Sequence, residues 1–357
     1  MRSARHRRSC TENVGGVGVN LGVSFNAYRA PFWLPGGNLQ TLWPLAIKGD
    51  LPAYRRERWT TPDDDFIDLD WIDPTIASAP VPSVVLFHGL EGSSASHYAR
   101  ALMRAVAARG WRGVVVHFRG CSGEPNRLVR SYHSGDSDEI NWILRRLKDQ
   151  LGTTLFATGV SLGGNALLKW LGEQEQAATG IIEAAAAVSA PLDLAAANRS
   201  LAQGFNRIYT NNFLKTLVPR ALAKDQRSPG IIDVARLKTA RTLADFDDAV
   251  IAPIHGFADA SDYYARCSAR QFLGLIRLPT LVLNAANDPF LPASALPSSS
   301  EVSADVELDK PAKGGHVGFV SAAMPGNLAW LPQRLLSYFD QHLNAGLQSA
   351  LSVSAMP

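Results

Sequence analysis

The sequence predicts an α/β fold: a mostly parallel sheet of eight strands flanked by helices, with a cap-like helical insertion after the sixth strand. Three observations carry this expectation. Short apolar runs alternate with helical periodicity through residues 83–191, the pattern of a parallel sheet covered on both faces. The alternation stops over residues 192–275, where helical patterns persist without a clear strand, and it resumes at 279. The 357 residues are 46% hydrophobic and only 19% charged, which suits a large core and argues against a disordered chain.

The elements follow in order. Residues 1–28 read as a disordered leader, beginning with the solvated basic run MRSARHRR. Residues 29–54 read as an arm packed on the domain, dense in aromatics, proline and glycine within YRAPFWLPGGNLQTLWP. RERWTT and DFIDLDWI, joined by the acidic turn PDDD, predict an antiparallel hairpin. SVVLFHG (83–89), GVVVHF (113–118), TLFATGV (154–160) and AAAAVSAP (184–191) predict buried strands. Between them, HYARALMRAVAARG (97–110) has helical spacing and a glycine stop. DSDEINWILRRLKDQ (136–150) predicts a helix with Asp136 as its cap and Glu139 three residues on, placing Ile140, Ile143, Leu144 and Leu147 on one face. The run Leu162–Leu171 predicts another helix. PTLVLNAANDPFLP (279–292) and DVELDK (305–310) complete the sheet, a helix from Asn327 to His342 closes the domain at 342, and residues 343–357 read as a flexible tail.

Bulk composition excludes several classes. A net charge of +3 indicates no nucleic-acid partner. Cys10, Cys121 and Cys267 are too few and too scattered for a disulfide framework or a metal cluster, which points to a reducing compartment and a cytoplasmic location. No apolar run reaches the roughly 18 residues of a membrane span, and GGVGVNLGV is too glycine-rich for a signal-peptide core. Neither a metal nor a cofactor is expected, and no obligate protein partner.

The chemistry starts at GVSLGG, where Gly159-Val160-Ser161-Leu162-Gly163 fits G-x-S-x-G between a strand and a helix. In that setting the turn is sharp, and small residues on either side of the serine avoid collisions. The serine hydroxyl then stands at the head of a helix, where the Leu162 amide can face an oxyanion. A serine needs an oriented base, and in this arrangement the chain order is serine, acid, histidine. Asp288 follows the strand TLVLNAA and His316 follows DVELDK, in that order. Asp193 is the rival acid. A second oxyanion donor is expected from the loop after the third strand, and the Leu90 amide of His88-Gly89-Leu90-Glu91-Gly92 is assigned to it; His88 itself reads as structural.

With these pieces placed, the chain resembles the YheT-like branch of the α/β-hydrolase superfamily from about 29 to 342. PFWLPGGNLQTLWP, HGLEGSSASHYAR, FRGCSG, SYHSGDSDE, GVSLGGN, FDDAV…GFADASDYY and ANDPF carry the resemblance. It implies the α/β-hydrolase fold, a Ser161–Asp288–His316 charge relay, and activity on fatty-acyl esters as esterase, lipase-like enzyme or alcohol acyltransferase. The arm departs from the branch at Asn38, where relatives usually show histidine.

Two motifs read as structural. His133–Asp138 forms an H-x4-D pattern just before a capped helix, and Cys121 reads as a packed thiol. The reading is therefore a serine hydrolase of short- to medium-chain acyl esters, its partner a small-molecule ester, with transient contact to a lipid surface left open. The insertion would supply an apolar acyl pocket from Phe205, Ile208, Phe213, Leu214 and Leu217. The alternatives are an alcohol O-acyltransferase on the same triad and an inactive binding protein.

Overall fold

A computed structural model of the chain describes residues 27–47, 49–74 and 80–354, with side chains as far as 343. Most of the expected leader and the last three residues of the expected tail lie outside the described residues. Eight strands form one sheet in the order β1-β2-β4-β3-β5-β6-β7-β8. They are β1 Arg55–Thr60, β2 Phe66–Ile72, β3 Ser83–Phe87, β4 Arg112–His117, β5 Leu155–Val160, β6 Ala184–Val188, β7 Thr280–Leu283 and β8 Val306–Asp309. The hairpin β1–β2 turns at Asp64, whose φ is 61°, and β2 pairs antiparallel with β4. From β4 to β8 every pairing is parallel.

The helices are α1 Gly37–Leu42, α2 His97–Ala108, α3 Ser137–Leu151, α4 Leu162–Gln174, α5 Leu194–Leu201, α6 Arg207–Arg227, α7 Val234–Thr239, α8 Leu243–Phe246, α9 Ala252–His255, α10 Ala260–Cys267 and α11 Trp330–Ser354. The central strands are buried on both faces, so they read as unbroken apolar runs rather than as alternation. Period-2 geometry sends Val85, Phe87 and Ala157 to one face, where α3 and α4 contribute Ile143, Leu147 and Trp170. Val84, Leu86 and Phe156 point to the other, against Met103 and Val106 of α2 and Leu335 and Phe339 of α11.

The insertion after β6 is helical and has its own core, which includes Leu214, Leu237, Phe246 and Tyr263. Between α8 and α9 the chain makes a π-helical turn, Asp247–Ile251.

Two local expectations are corrected. Asp136 sits at the N-cap of α3 but its side chain does not cap; Oδ1 accepts from Arg130 Nη2 at 2.6 Å. Glu139 does not reach back either, because its Oε2 takes Arg119 Nε at 2.6 Å. The guanidiniums, one of them buried, bind these buried carboxylates more strongly than a backbone amide could. The closing helix begins at Trp330, not Asn327, and runs on to Ser354. Asn327 instead bridges to Ser321, and its side chain accepts from Ala329 N–H.

Candidate active site

The carboxyl ends of β3, β5, β6, β7 and β8 converge on one region, where loops of a parallel sheet gather functional groups. Ser161 is the single residue between β5 and α4. It holds φ 52° and ψ −118°, a conformation that costs an L-residue about 1–3 kcal/mol. The turn is fixed on both sides. Ser161 N–H donates to Val188 O at 2.9 Å, and Ser161 O accepts from Asn165 N–H at 3.0 Å. A Cβ on Gly159 would meet Gly163 O at 2.5 Å, and one on Gly163 would meet Phe87 O at 2.5 Å and His88 O at 2.6 Å. No side chain fits at either position.

His316 lies in the loop after β8. Its Nε2 is 3.0 Å from Ser161 Oγ, and its Nδ1 is 2.8 Å from Asp288 Oδ2. Asp288 is buried, and its other oxygen accepts the Phe290 amide at 2.8 Å. The ring of Phe290 stacks on the imidazole at 3.9 Å between centroids. The structure thus brings together the three side chains singled out in the sequence. An imidazole with Nδ1–H held by a carboxylate presents a lone pair at Nε2 to the serine hydroxyl. Asp193, the rival acid, is instead the N-cap of α5 and accepts from Ala196 N–H.

Sequence reasoning missed the support for His316. The loop Gly314–His316 is held by α1, more than 270 residues away. Thr41 Oγ1 accepts the His316 amide at 2.8 Å and donates to Gly37 O. Gln40 Oε1 accepts both Gly314 N–H and the Asn287 side-chain amide, while Asn287 Oδ1 accepts Gly315 N–H. Gln40 is fully buried and anchored through Leu34 O. Gly315 has φ 62°, and a Cβ there would lie 2.8 Å from Gly37 O and Thr41 Oγ1. Asn38 accepts from Tyr209 OH at 2.9 Å and so ties α1 to α6. The only signal in the sequence was the polar pair Gln40-Thr41 inside an aromatic arm.

The loop after β3 places Gly89 tightly against Ser161: a Cβ there would lie 3.1 Å from Ser161 Cβ. Gly89 N–H donates to Tyr98 OH, Glu91 N–H to Tyr132 OH and Gly92 N–H to Gly89 O. The Leu90 amide between them has no acceptor among the described residues. Leu162 is the first residue of α4, so its amide has no intrahelical acceptor either. His88 is buried; Nδ1 donates to Gly89 O, Nε2 accepts Phe118 N–H, and burial brings the imidazole down to about 3.

A cavity of about 240 Å³ lies between these loops and the insertion, with Ser161, Leu90 and Leu162 in its wall. Phe213, Leu217, Phe246 and Val250 give it an apolar lining. Of the five lining residues expected from the sequence, Phe213 and Leu217 are there. Leu214 is packed in the insertion's own core, and Phe205 and Ile208 are 59% and 49% exposed. They fall where the chain enters α6, on its outward side.

Cys121 is buried and its thiol is pushed up to about 12, chiefly by burial, so it is held as a neutral thiol. His133 is buried, brought down to about 3 by burial, and accepts Gly135 N–H at Nδ1. Among the described residues no group of histidine, cysteine and carboxylate side chains could hold a metal ion, and no helix is long and apolar enough to cross a membrane.

Residues 82–323 match the α/β hydrolase fold family. YheT of Escherichia coli (strain K12) is 41% identical over 314 residues, covering 86% of this chain and 91% of that protein. Phospholipase ABHD3 of Mus musculus is 28% identical over 343 residues, covering 94% of this chain and 82% of that protein. Among solved structures, the Pyrococcus furiosus esterase Pf2001 shares the fold with a TM-score of 0.52 at 16% identity, over 84% of this chain and 97% of that one. By its sheet, its matched residues and its relatives, the chain belongs to the α/β hydrolase fold family, in the YheT-like branch.

Proposed function

We propose that the protein is a serine hydrolase of carboxylic esters with short- to medium-chain acyl groups. The observation that carries this is the hydrogen-bonded series Asp288–His316–Ser161, at 2.8 and 3.0 Å. Ser161 Oγ attacks the acyl carbon as its proton passes to His316 Nε2. Asp288 holds the imidazole in the required tautomer and stabilises its charged form. The carbonyl oxygen becomes an oxyanion facing the Leu90 and Leu162 amides, each contributing about 3 kcal/mol if it acts like known oxyanion donors. Collapse breaks the bond to the alkoxy oxygen, which takes the proton from His316 and leaves as alcohol. Water then attacks the acyl-serine, giving its proton to His316, and the acid departs as the proton returns to Ser161. An alcohol in place of water would give a new ester by the same steps.

The apolar cavity supports an acyl substrate, and a relative named as a phospholipase supports an ester of lipid type. Phe32, Leu39 and Leu45 of the arm are exposed large apolar side chains, which suits transient contact with a lipid surface. A cytoplasmic location rests on the three scattered cysteines.

A fluorophosphonate should label Ser161, and p-nitrophenyl esters from acetate to palmitate should be cleaved with a preference for the shorter and middle chains. Ser161→Ala should lower kcat by about 10⁴-fold or more while the protein stays folded. A folded protein that takes no label and cleaves no ester would overturn the reading. Product analysis in dilute hexanol separates the two outcomes, since dominant ester formation would make the protein an acyltransferase.

A further inference from the structure

The cavity beside Ser161 is not apolar all round. Helix α6 brings Arg220, Lys224 and Arg227 to its wall, spaced four and three residues apart and so on one helical face. Opposite them runs the loop containing Gly120, Gly123, Asn126 and Ser131. Two of the cations in this region are already paired. Arg220 Nη1 meets Glu91 Oε1 at 2.9 Å, and Arg119 is bound by Asp63, Asp65 and Glu139.

Lys224 and Arg227 differ. Lys224 Nζ donates to the carbonyl oxygens of Val129 and Arg130, at 3.3 and 2.9 Å, and to Ser131 Oγ at 2.9 Å. Arg227 Nη1 donates to Asn126 O at 3.0 Å. Every one of these acceptors is uncharged, and among the described residues neither cation has a carboxylate in ion-pair contact. Burial brings the Lys224 ammonium down to about 8, against the raising effect of Asp65 and with the Arg227 charge adding to the fall. Two carboxylates also line the cavity. Glu91 is taken by Arg220 and Tyr132. Asp247 accepts Tyr264 OH at 2.6 Å, and burial pushes its carboxyl up to about 7, toward the uncharged form. Neither opposes an anion beside α6.

We propose that Lys224 and Arg227 form an anion subsite of this cavity, so that the preferred esters carry a phosphate or carboxylate on one of their two arms. The proposal rests on the ester-hydrolase reading for the word ester, and on the cavity alone for the anion. A half-buried ammonium and a guanidinium with neutral acceptors lose little by turning one N–H toward an incoming oxyanion, and gain charge-assisted hydrogen bonds.

Binding can be read without turnover, using folded Ser161→Ala protein and calorimetry on two matched pairs. 1-Octanoylglycerol 3-phosphate against 1-octanoylglycerol places the anion on the alcohol arm. Monohexyl adipate against hexyl hexanoate places it on the acyl arm. In one pair the anionic member should bind at least about tenfold more tightly, as charged hydrogen bonds do. Lys224→Met and Arg227→Gln should each reduce that ratio, and added salt should reduce it too. Lys224 also holds the 129–131 loop, so Arg227→Gln, at an exposed position, guards against loss of fold. Equal or weaker binding of both anionic members, or a preference that survives both substitutions, would overturn the subsite. Anion binding that persists in a wild-type protein unable to cleave any of the four esters would instead count against the hydrolase reading.

Discussion

The strand-end loops and the helical insertion form two walls of one cavity, and they are built to different tolerances. The loop wall is fixed atom by atom. Ser161 is held at positive φ by bonds to Val188 and Asn165, glycines stand wherever a Cβ would strike backbone, and the His316 loop is bonded at three successive amides. The insertion wall is a packed set of helices whose apolar part contributes surface: Phe213, Leu217 and Val250 could each be exchanged for another apolar side chain without breaking a hydrogen bond. Proton transfer needs distances near 3 Å, whereas acyl binding needs only apolar area of about the right shape. Damage to the first wall should therefore appear in kcat, and damage to the second in substrate choice.

Outside the triad itself, the largest effect should come from Gly163→Ala. The new methyl would meet Phe87 O at 2.5 Å and His88 O at 2.6 Å, both backbone atoms that cannot swing aside. Either the elbow or the loop after β3 must shift, and a displacement of about 1 Å costs about 10²-fold in rate. The expected result is a fall in kcat of about 100-fold or more on a p-nitrophenyl ester, with a lower Tm. Gly180→Ala, where a Cβ has no atom within 4 Å, is the control and should change neither. Equal effects from the two substitutions would dissolve the contrast between the walls.

A middle effect tests the arm. Thr41→Val keeps the shape of α1 but removes the acceptor for the His316 amide. The amide is left half-buried without a partner, at a cost of about 1–3 kcal/mol in stability. Because the imidazole stays linked to Asp288, kcat should fall by roughly tenfold rather than collapse. Thr41→Ser keeps the hydroxyl and should restore most of the rate. Recovery with serine but not valine distinguishes positioning through that hydrogen bond from a loss of packing.

The arm also marks what could be read from the sequence. Strands, Ser161 and the order of Asp288 and His316 were legible because each depends on local pattern: an apolar run, a turn residue, a glycine next to a functional side chain. Both Ser161 and His316 follow strands that announce themselves within ten residues. Gln40 and Thr41 act across more than 270 residues, and nothing near them in the chain reports that contact. Asp136 and Glu139 matched a capping pattern, yet Arg119 and Arg130 claim both carboxylates, since tertiary charge pairs override a local preference. Phe205 lies before the helix that begins at Arg207, so its helical spacing did not govern which way it faces, and Ile208 sits in the first turn of that helix on its exposed side.

The smallest effect lies in the insertion and is one of pH. Asp247, in the π-helical turn, accepts from Tyr264 OH at 2.6 Å, while Asp248 nearby is bonded to Ala260 N–H and Arg236. Burial, helped by the neighbouring Asp248, pushes the Asp247 carboxyl up to about 7, against the lowering effect of the Tyr264 hydrogen bond. The folded protein therefore holds a proton there that the unfolded chain releases near pH 4. A carboxyl raised on folding contributes stability that is complete below the unfolded value and is lost as pH rises toward the folded one. Asp247→Asn keeps an acceptor for Tyr264 and carries no charge at any pH. Its Tm relative to the parent should rise between pH 4.5 and pH 7.5, by about a few degrees. A constant offset across that window would mean that Asp247 stays ionised in the folded protein, and that the insertion wall presents a fixed negative charge to the cavity rather than a neutral one.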